Sequence, residues 1–395
     1  MRMARRGVAV RTGLPERLDR ATRHLEPPFA VVDRAAVHRN ADDLVRRAGG
    51  LPVRVASKSV RSRSVMSDVL ARKGFSGVMA YSVAEALWLA RTGEREVLVA
   101  YPSTDRTSLQ ELRRDERAAL AVTVMVDDVA QVDLAAGDGA GAEIKVCIDV
   151  DASLRMGPVH LGVRRSPLRS GAEVIRLAGE VARRPGVRLV GLMFYDAQVA
   201  GLPDSSPAVR WVKKRSVADL VRRRTEVVDA VRRLVDLEIV NGGGTGSLHR
   251  WQQDPTLTEL TAGSGLYGPT LSDGYDDFRP QPAAFFVLPV VRRPSSRVAT
   301  VFGGGYVASG PAGSSRMPRP WWPEGLSLLR AEGAGEVQTP LRGRAAEGLT
   351  IGDRVWFRHA KAGELCERFD VLYVVDDDGS VEAVPTYRGE GKAFG

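Results

Sequence analysis

The stretch LPVRVASKSVRSRS, residues 51–64, alternates apolar and polar side chains through VRVA and then breaks into small polar residues around one lysine, Lys58. Alternation with a period of two reads as a strand. The following SVMSDVLARKG carries apolar residues at helical spacing and ends on glycine, which reads as a helix with its stop signal. One strand running into one helix is a βα unit. The lysine is unusual here, because the chain holds seven lysines and fifty arginines. Where charge alone suffices the cation is arginine, so Lys58 is read as present for its amine.

Outward from this unit the pattern repeats. Candidate strands are VRVASK (53–58), GVMAYS (77–82), EVLVAY (96–101), AVTVMV (121–126), EIKVCIDV (143–150), LVGLMFY (189–195), LEIVNGGG (237–244) and LTELTAGSGLYG (257–268). Amphipathic segments such as SVAEALWLARTG and SGAEVIRLAGEVARRPG separate them. Strands alternating with helices imply an α/β class with a parallel sheet, and eight units fit a TIM (β/α)8 barrel. Active-site residues of that fold cluster at the C-terminal strand ends. Lys58, Tyr81, Tyr101, Asp149, Asp151, Tyr195, Asn241 and the glycines 242–244 fall there.

After about residue 278 the pattern changes to separated strands with glycine and proline turns, among them AAFFVLPVV, DRVWFRH and FDVLYVVDDDGSVEAVPTYRG. This predicts a C-terminal all-β domain. The expected organisation is an N-terminal segment over 1–28 packing on the β-domain, a barrel over 29–277 and the β-domain over 278–395. Trp321 and Trp322 in RPWWPEG read as a capping loop or interface.

Composition excludes several classes. With 44% hydrophobic and 27% charged residues the chain reads as a soluble globular protein. No window approaches the roughly 18–20 consecutive apolar residues of a membrane helix, and the basic start MRMARRGVAVRTG lacks the apolar stretch of a secretory signal. A cytoplasmic location is expected. Cys147 and Cys366 are too few for a disulfide framework, so reduced thiols are expected. The net charge of +9 comes from arginines scattered over every predicted helix, without a lysine-rich tail or interleaved aromatics, so no nucleic-acid partner is expected.

GGGTGS (242–247) follows the seventh strand and GSGLYGP (263–269) belongs to the eighth. Glycines allow close backbone approach, and their amides with Thr245, Ser247 and Ser264 can bind an anion. The loops after strands seven and eight are the customary phosphate site of this barrel. A lysine on the first strand facing a phosphate site on the last two suggests pyridoxal 5'-phosphate, its aldehyde bonded to the amine.

At this point the residues resemble a family, the fold-type III pyridoxal phosphate enzymes, and within them the D-threonine aldolase and D-serine dehydratase branch. PPFAVVDRAAVHRNADDL, VRVASKSVRS, DVDASLRMGPV, GLMFYDAQ, VNGGGTGS and TAGSGLYGP carry the likeness, in order, over nearly the whole chain. The resemblance implies that Lys58 holds the cofactor and moves the α-proton. It further implies that Arg155 approaches the cofactor's phenolic side, that Tyr195 lines its ring, and that Gly243, Gly244, Thr245, Gly265 and Tyr267 hold the phosphate. In that branch a histidine in the β-domain, followed two positions later by cysteine or aspartate, binds a divalent metal that grips the substrate's β-hydroxyl; an imidazole with a thiolate suits zinc, and an acidic oxygen tolerates manganese as well. Here RHAKAGELCERFD places His359 at the first position and Lys361 at the second. Two arrangements stay open: Cys366 or Glu364 supplies the second ligand, or Lys361 replaces the metal's charge.

The implied activity is that of a lyase on small D-configured β-hydroxy amino acids. It proceeds by dehydration to a keto acid and ammonia, or by retro-aldol cleavage to glycine and an aldehyde, with His359 near the β-hydroxyl in the second route. A racemase and a non-catalytic cofactor-holding protein are the alternatives. A head-to-tail homodimer, the β-domain of one chain closing the barrel mouth of the other, is the assembly the resemblance implies.

Overall fold

The computed structural model describes residues 14–394; of the expected N-terminal segment, residues 1–13 lie outside the described residues. Eight parallel strands close into a barrel: Val53–Ala56, Phe75–Ala80, Val97–Val99, Val122–Val126, Ile144–Asp149, Val187–Phe194, Ile239–Gly242 and Glu259–Ala262. The eighth returns to the first, with Leu260 opposite Val53 and Ala262 opposite Val55. Each coincides with a strand expected from the sequence, as α/β alternation dictates.

The period-two alternation of the first strand places the site. Val53 and Val55 are fully buried in the apolar core beneath the helices. Arg54 points into the barrel, where its guanidinium makes a two-pronged bond to Glu259, Nε to Oε1 at 2.7 Å and Nη2 to Oε2 at 2.6 Å. A buried guanidinium needs such a partner, since an unpaired charge there is costly. Next to it Leu98, Met125, Cys147 and Met193 fill the barrel interior. The strand then ends in a 3-10 turn, Ser57–Ser59, that lifts Lys58 onto the rim.

The helices follow from local signals. Asp33 caps Arg34–Ala48 by accepting from Ala36 N, and Ser82 caps Val83–Arg91 by accepting from Glu85 N. Ser170 and Glu173 form a capping box on Gly171–Ala182. Ser206 with Pro207 opens the long helix Pro207–Arg232.

The β-domain is a nine-stranded sheet centred on Ala284–Ser295. One of its strands comes from before the barrel. Phe29–Asp33, expected at the start of the barrel, pairs antiparallel with Ala284–Ser295 and parallel with Val371–Val375. FAVVD is buried throughout, and a strand covered on both faces belongs between two others. The domain boundary therefore crosses the chain after Asp33 as well as near residue 278. The helix Leu14–Ala21 packs on this sheet through Leu18, which meets Phe285, Val287 and Trp356 in one cluster. Trp321 lies in a strand, Arg319–Trp322, and stacks on Phe285 with ring centroids 4.4 Å apart. A single apolar core runs from the barrel helices into the β-domain and includes Val60, Phe286, Phe357, Leu365 and Cys366. Among the described residues no helix is long and apolar enough to cross a membrane.

Candidate active site

Lys58 opens into a cavity at the C-terminal end of the barrel. Its walls include Ala56, Tyr101, Arg165, Tyr195, Asn241 and Thr261, with Gly243, Gly244, Thr245, Gly263 and Ser264 on the loops after the seventh and eighth strands. Having no side chains, the three glycines present backbone to it. Glycine is required: a Cβ at position 244 would stand 2.7 Å from the Cβ of Ala200, and one at 263 would stand 2.7 Å from the Ala56 carbonyl oxygen. Thr245 Oγ1 ties the two loops together by accepting from Gly263 N and Gly265 N, both at 3.3 Å. Beyond the cavity lies a wider cleft, lined by Arg61, Arg316, Lys361 and Glu364, which opens the site to solvent.

Lys58 Nζ donates to Tyr101 Oη at 2.6 Å. The Arg165 guanidinium lies over the Tyr101 ring at 5.3 Å and over the Tyr195 ring at 5.4 Å, measured to the centroids. Burial pushes the Tyr195 phenol up to about 12. Burial also pushes Asp149 up to about 7, aided by Asp127 and opposed by Arg165. On the cavity wall Asn241 Nδ2 donates to Glu259 Oε1 at 2.7 Å and to Thr261 Oγ1 at 2.8 Å, linking the wall to the buried Arg54–Glu259 pair.

The expected site residues divide into those the fold gathers and those it does not. Lys58, Tyr195, Gly243, Gly244 and Thr245 line the cavity together. Gly265 stands one shell behind, its amide on Thr245. Tyr267 is fully buried and its hydroxyl donates to Val60 O at 3.0 Å, so it holds the lysine loop and does not face the anion cradle. Arg155 lies outside the cavity, with its guanidinium on Asp151 at 2.7 Å. It sits in a hairpin, Leu154–Met156 against Val159–Leu161, that carries it away from the rim. The following RRSP segment brings Arg165 to the cavity wall. Arg165 and the Tyr101–Lys58 contact were missed as site features, although Tyr101 was visible as a polar residue at a strand end.

The metal ligands do not assemble. His359 is buried, with Nδ1 3.2 Å from Ala284 O and Nε2 without a partner; burial and Arg358 lower its pKa to about 3. Cys366 points elsewhere: its thiol donates to Val60 O at 3.2 Å, and burial pushes its pKa up to about 12. A thiolate ligand needs the opposite surroundings. Among the described residues no three His, Cys, Asp or Glu side chains come together in a metal-holding group. The donor set thus does not fit a divalent metal. Lys361 occupies this region, its Nζ on Ser309 Oγ at 2.5 Å and 3.6 Å from Glu364 Oε1.

The family model for the alanine racemase N-terminal domain matches residues 32–270, from the end of the strand before the barrel to just past its eighth strand. The chain belongs to this family. A 3-hydroxy-D-aspartate aldolase of Paracoccus denitrificans (strain Pd 1222) is 26% identical over 245 residues, 61% of this chain and 60% of the relative. The chain thus spans under two thirds of the length of the curated relatives it matches. Two solved structures share the fold across both domains. A D-threonine aldolase from Filomicrobium marinum superposes with a TM-score of 0.77 at 24% identity, over 92% of this chain and 95% of that one. A D-threo-3-hydroxyaspartate dehydratase from Delftia sp. HT23 gives 0.71 at 19% identity, over 92% and 97%.

Pyridoxal 5'-phosphate, the cofactor of the family, fits the residues present. Lys58 offers the amine, the backbone of Gly243, Gly244 and Gly263 an anion cradle, Tyr195 an aromatic wall and Arg165 a cation beside it.

Proposed function

We propose that this chain is a pyridoxal-phosphate-dependent lyase acting on D-configured β-hydroxy amino acids. The observation that carries the reading is the placement of a lone amine, Lys58, in one cavity with the glycine backbone of the two phosphate-side loops. Bound there, the cofactor supplies an electron-withdrawing ring that accepts the electron pair released when a bond at the substrate α-carbon breaks. The protein supplies the rest. Lys58 holds the cofactor at rest and, once freed by the substrate's amine, removes the α-proton. Gly243, Gly244, Thr245 and Gly263 fix the phosphate end, Tyr195 lies along the ring, and Arg165 takes the role first given to Arg155. Lys361 and Arg316, at the open side, attract the substrate carboxylate through their charge.

Loss of the β-hydroxyl leads to a keto acid and ammonia; cleavage of the Cα–Cβ bond leads to glycine and an aldehyde. The assembly we propose is a head-to-tail homodimer, which light scattering would test. The reaction is tested by product analysis with D-threonine and D-serine. Keto acid or aldehyde is expected from the wild-type chain and neither from Lys58→Ala. Conversion to the L-enantiomer alone would overturn the lyase reading in favour of a racemase.

A further inference from the structure

The residues lining the Lys58 cavity include no Asp, Glu or His. Besides Arg165, the proton-carrying groups there that could serve as acid or base are Lys58, Tyr101 and Tyr195, and burial holds the Tyr195 phenol up at about 12. A lysine that removes an α-proton must then lose it again, and a departing hydroxide must gain one. One direct contact in the cavity lets both happen. Lys58 Nζ and Tyr101 Oη are 2.6 Å apart, a close direct contact just under the roughly 2.7–3.2 Å of an ordinary N–H···O bond.

The surroundings of Tyr101 differ from those of the other tyrosines. Burial alone would raise its phenol, but the Lys58 charge and hydrogen bond, with Arg165 and Lys361 farther off, outweigh burial and bring it below the ordinary tyrosine range. The groups facing it are thus Lys58 on the first-strand turn, Arg165 over its ring, Lys361 from the β-domain and Tyr195 across Arg165. Tyr81, Tyr195, Tyr267, Tyr275, Tyr306 and Tyr387 are all shifted upward by burial. Lys361 is held on Ser309 and Glu364, which leaves Tyr101 as the group in contact with the base.

We propose that Tyr101 is a second proton-transfer residue of this site: it receives from Lys58 the proton taken from the substrate's α-carbon and delivers it to the departing β-oxygen. The inference rests on the lyase reading and deepens its dehydration branch. The step balances without an outside acid. The Cα–H and Cβ–O bonds break, a Cα=Cβ bond forms, and the proton and hydroxide leave as one water. Lys58 returns as free amine and Tyr101 to its starting state.

Two measurements on Tyr101→Phe test this. Keto acid release should fall by about 100-fold or more, the usual worth of a positioned acid–base group, with KM and the visible absorption of the cofactor-loaded protein retained. Separately, phenolate absorption should be followed while the pH is raised toward the ordinary phenol range near ~10. One tyrosine should ionise ahead of the rest in the wild type and not in Tyr101→Phe, and in Lys58→Met that early step should move upward. Wild-type turnover in Tyr101→Phe, or an early step that survives in it, overturns the assignment while leaving the lyase reading intact. A wild-type enzyme that yields aldehyde and glycine but no keto acid overturns the dehydration step proposed for Tyr101, and one that yields neither product overturns the lyase reading itself. The early ionisation still reports on the Lys58–Tyr101 contact in both cases.

Discussion

Replacing Gly363 with alanine should disable the site from the β-domain side. Gly363 has φ +83 and lies against the lysine turn, where an added Cβ would fall 1.8 Å from the Lys58 carbonyl oxygen, 2.8 Å from its carbon and 2.9 Å from Ser59 Cα. All three atoms are backbone, so no side chain can swing aside, and the contact must open from 1.8 Å to beyond 3.0 Å. The left-handed conformation costs an alanine roughly 1–2 kcal/mol, and forcing packed backbone apart adds about 1–3 kcal/mol. Together they give about 2–5 kcal/mol of lost stability. The displaced backbone is that of Lys58, and a misplacement of about 1 Å in reacting groups can lower turnover about 100-fold. Gly379→Ala is the matched control: φ is +86, but nothing lies within 4 Å of the added carbon, so only the conformational cost of roughly 1–2 kcal/mol applies. Urea unfolding midpoints, the visible absorption of the cofactor-loaded protein and kcat should be compared across the three proteins. If Gly363→Ala unfolds with Gly379→Ala and turns over like the wild type, the claim that this contact seats the lysine is wrong.

Two further outcomes follow from the buried groups. Glu85 is fully buried beneath the first two strand ends, accepts from Tyr81 N at 2.7 Å, and has its pKa raised by burial from 4.5 to about 7. The folded state then binds a proton that the unfolded state has released, so stability should fall as pH rises from about 4.5 to about 7. Glu85→Gln should flatten that fall, worth about 3 kcal/mol; equal slopes for both proteins in urea titrations at several pH values would refute it. Dialysis against a chelator should leave turnover unchanged, because His359 offers one free ring nitrogen and the Cys366 thiol is engaged by Val60. Activity lost to the chelator and restored by zinc or manganese would count against that account of the donor set.

The barrel was legible because its signal is periodic. Seven of the eight C-terminal strand ends fall within two residues of the expected ones, the eighth strand stopping earlier, at Ala262, and with them Lys58, Tyr195 and the glycines on the rim. The pairing of Phe29–Asp33 with the β-domain was not visible, because a strand buried on both faces carries no alternation to say which neighbours it has. Arg165 was not visible for a different reason: Arg155 pairs with His160 across a hairpin, and sequence spacing cannot say which arginine such a fold-back returns to the rim. Tyr267 and Cys366 lie in short helical turns, Ser264–Tyr267 and Glu364–Glu367, too short for a hydrophobic period to say which side chain meets the cavity, so packing decides it.

Tyr267 and Cys366 show how the β-domain and the barrel meet at the lysine loop. The lysine loop is an awkward piece of backbone: Arg61 takes φ +50, a conformation a non-glycine residue rarely adopts without support. Its support comes from outside the first strand. Val60 O accepts from Tyr267 Oη of the eighth-strand loop and from Cys366 Sγ of the β-domain, while Arg61 O accepts from Tyr387 N near the C-terminus. Ser62 Oγ donates to Pro385 O, and Gly363 lies against Lys58 O itself. Four of these five contacts come from the β-domain. Lys58 is thus presented by a turn that the barrel alone does not hold, and a chain cut at the barrel's end would keep the amine but lose the backbone that aims it. The fused domain acts on the chemistry through carbonyl oxygens two and three residues from the reacting nitrogen, which places Cys366 in the machinery as a thiol donor that sets backbone geometry.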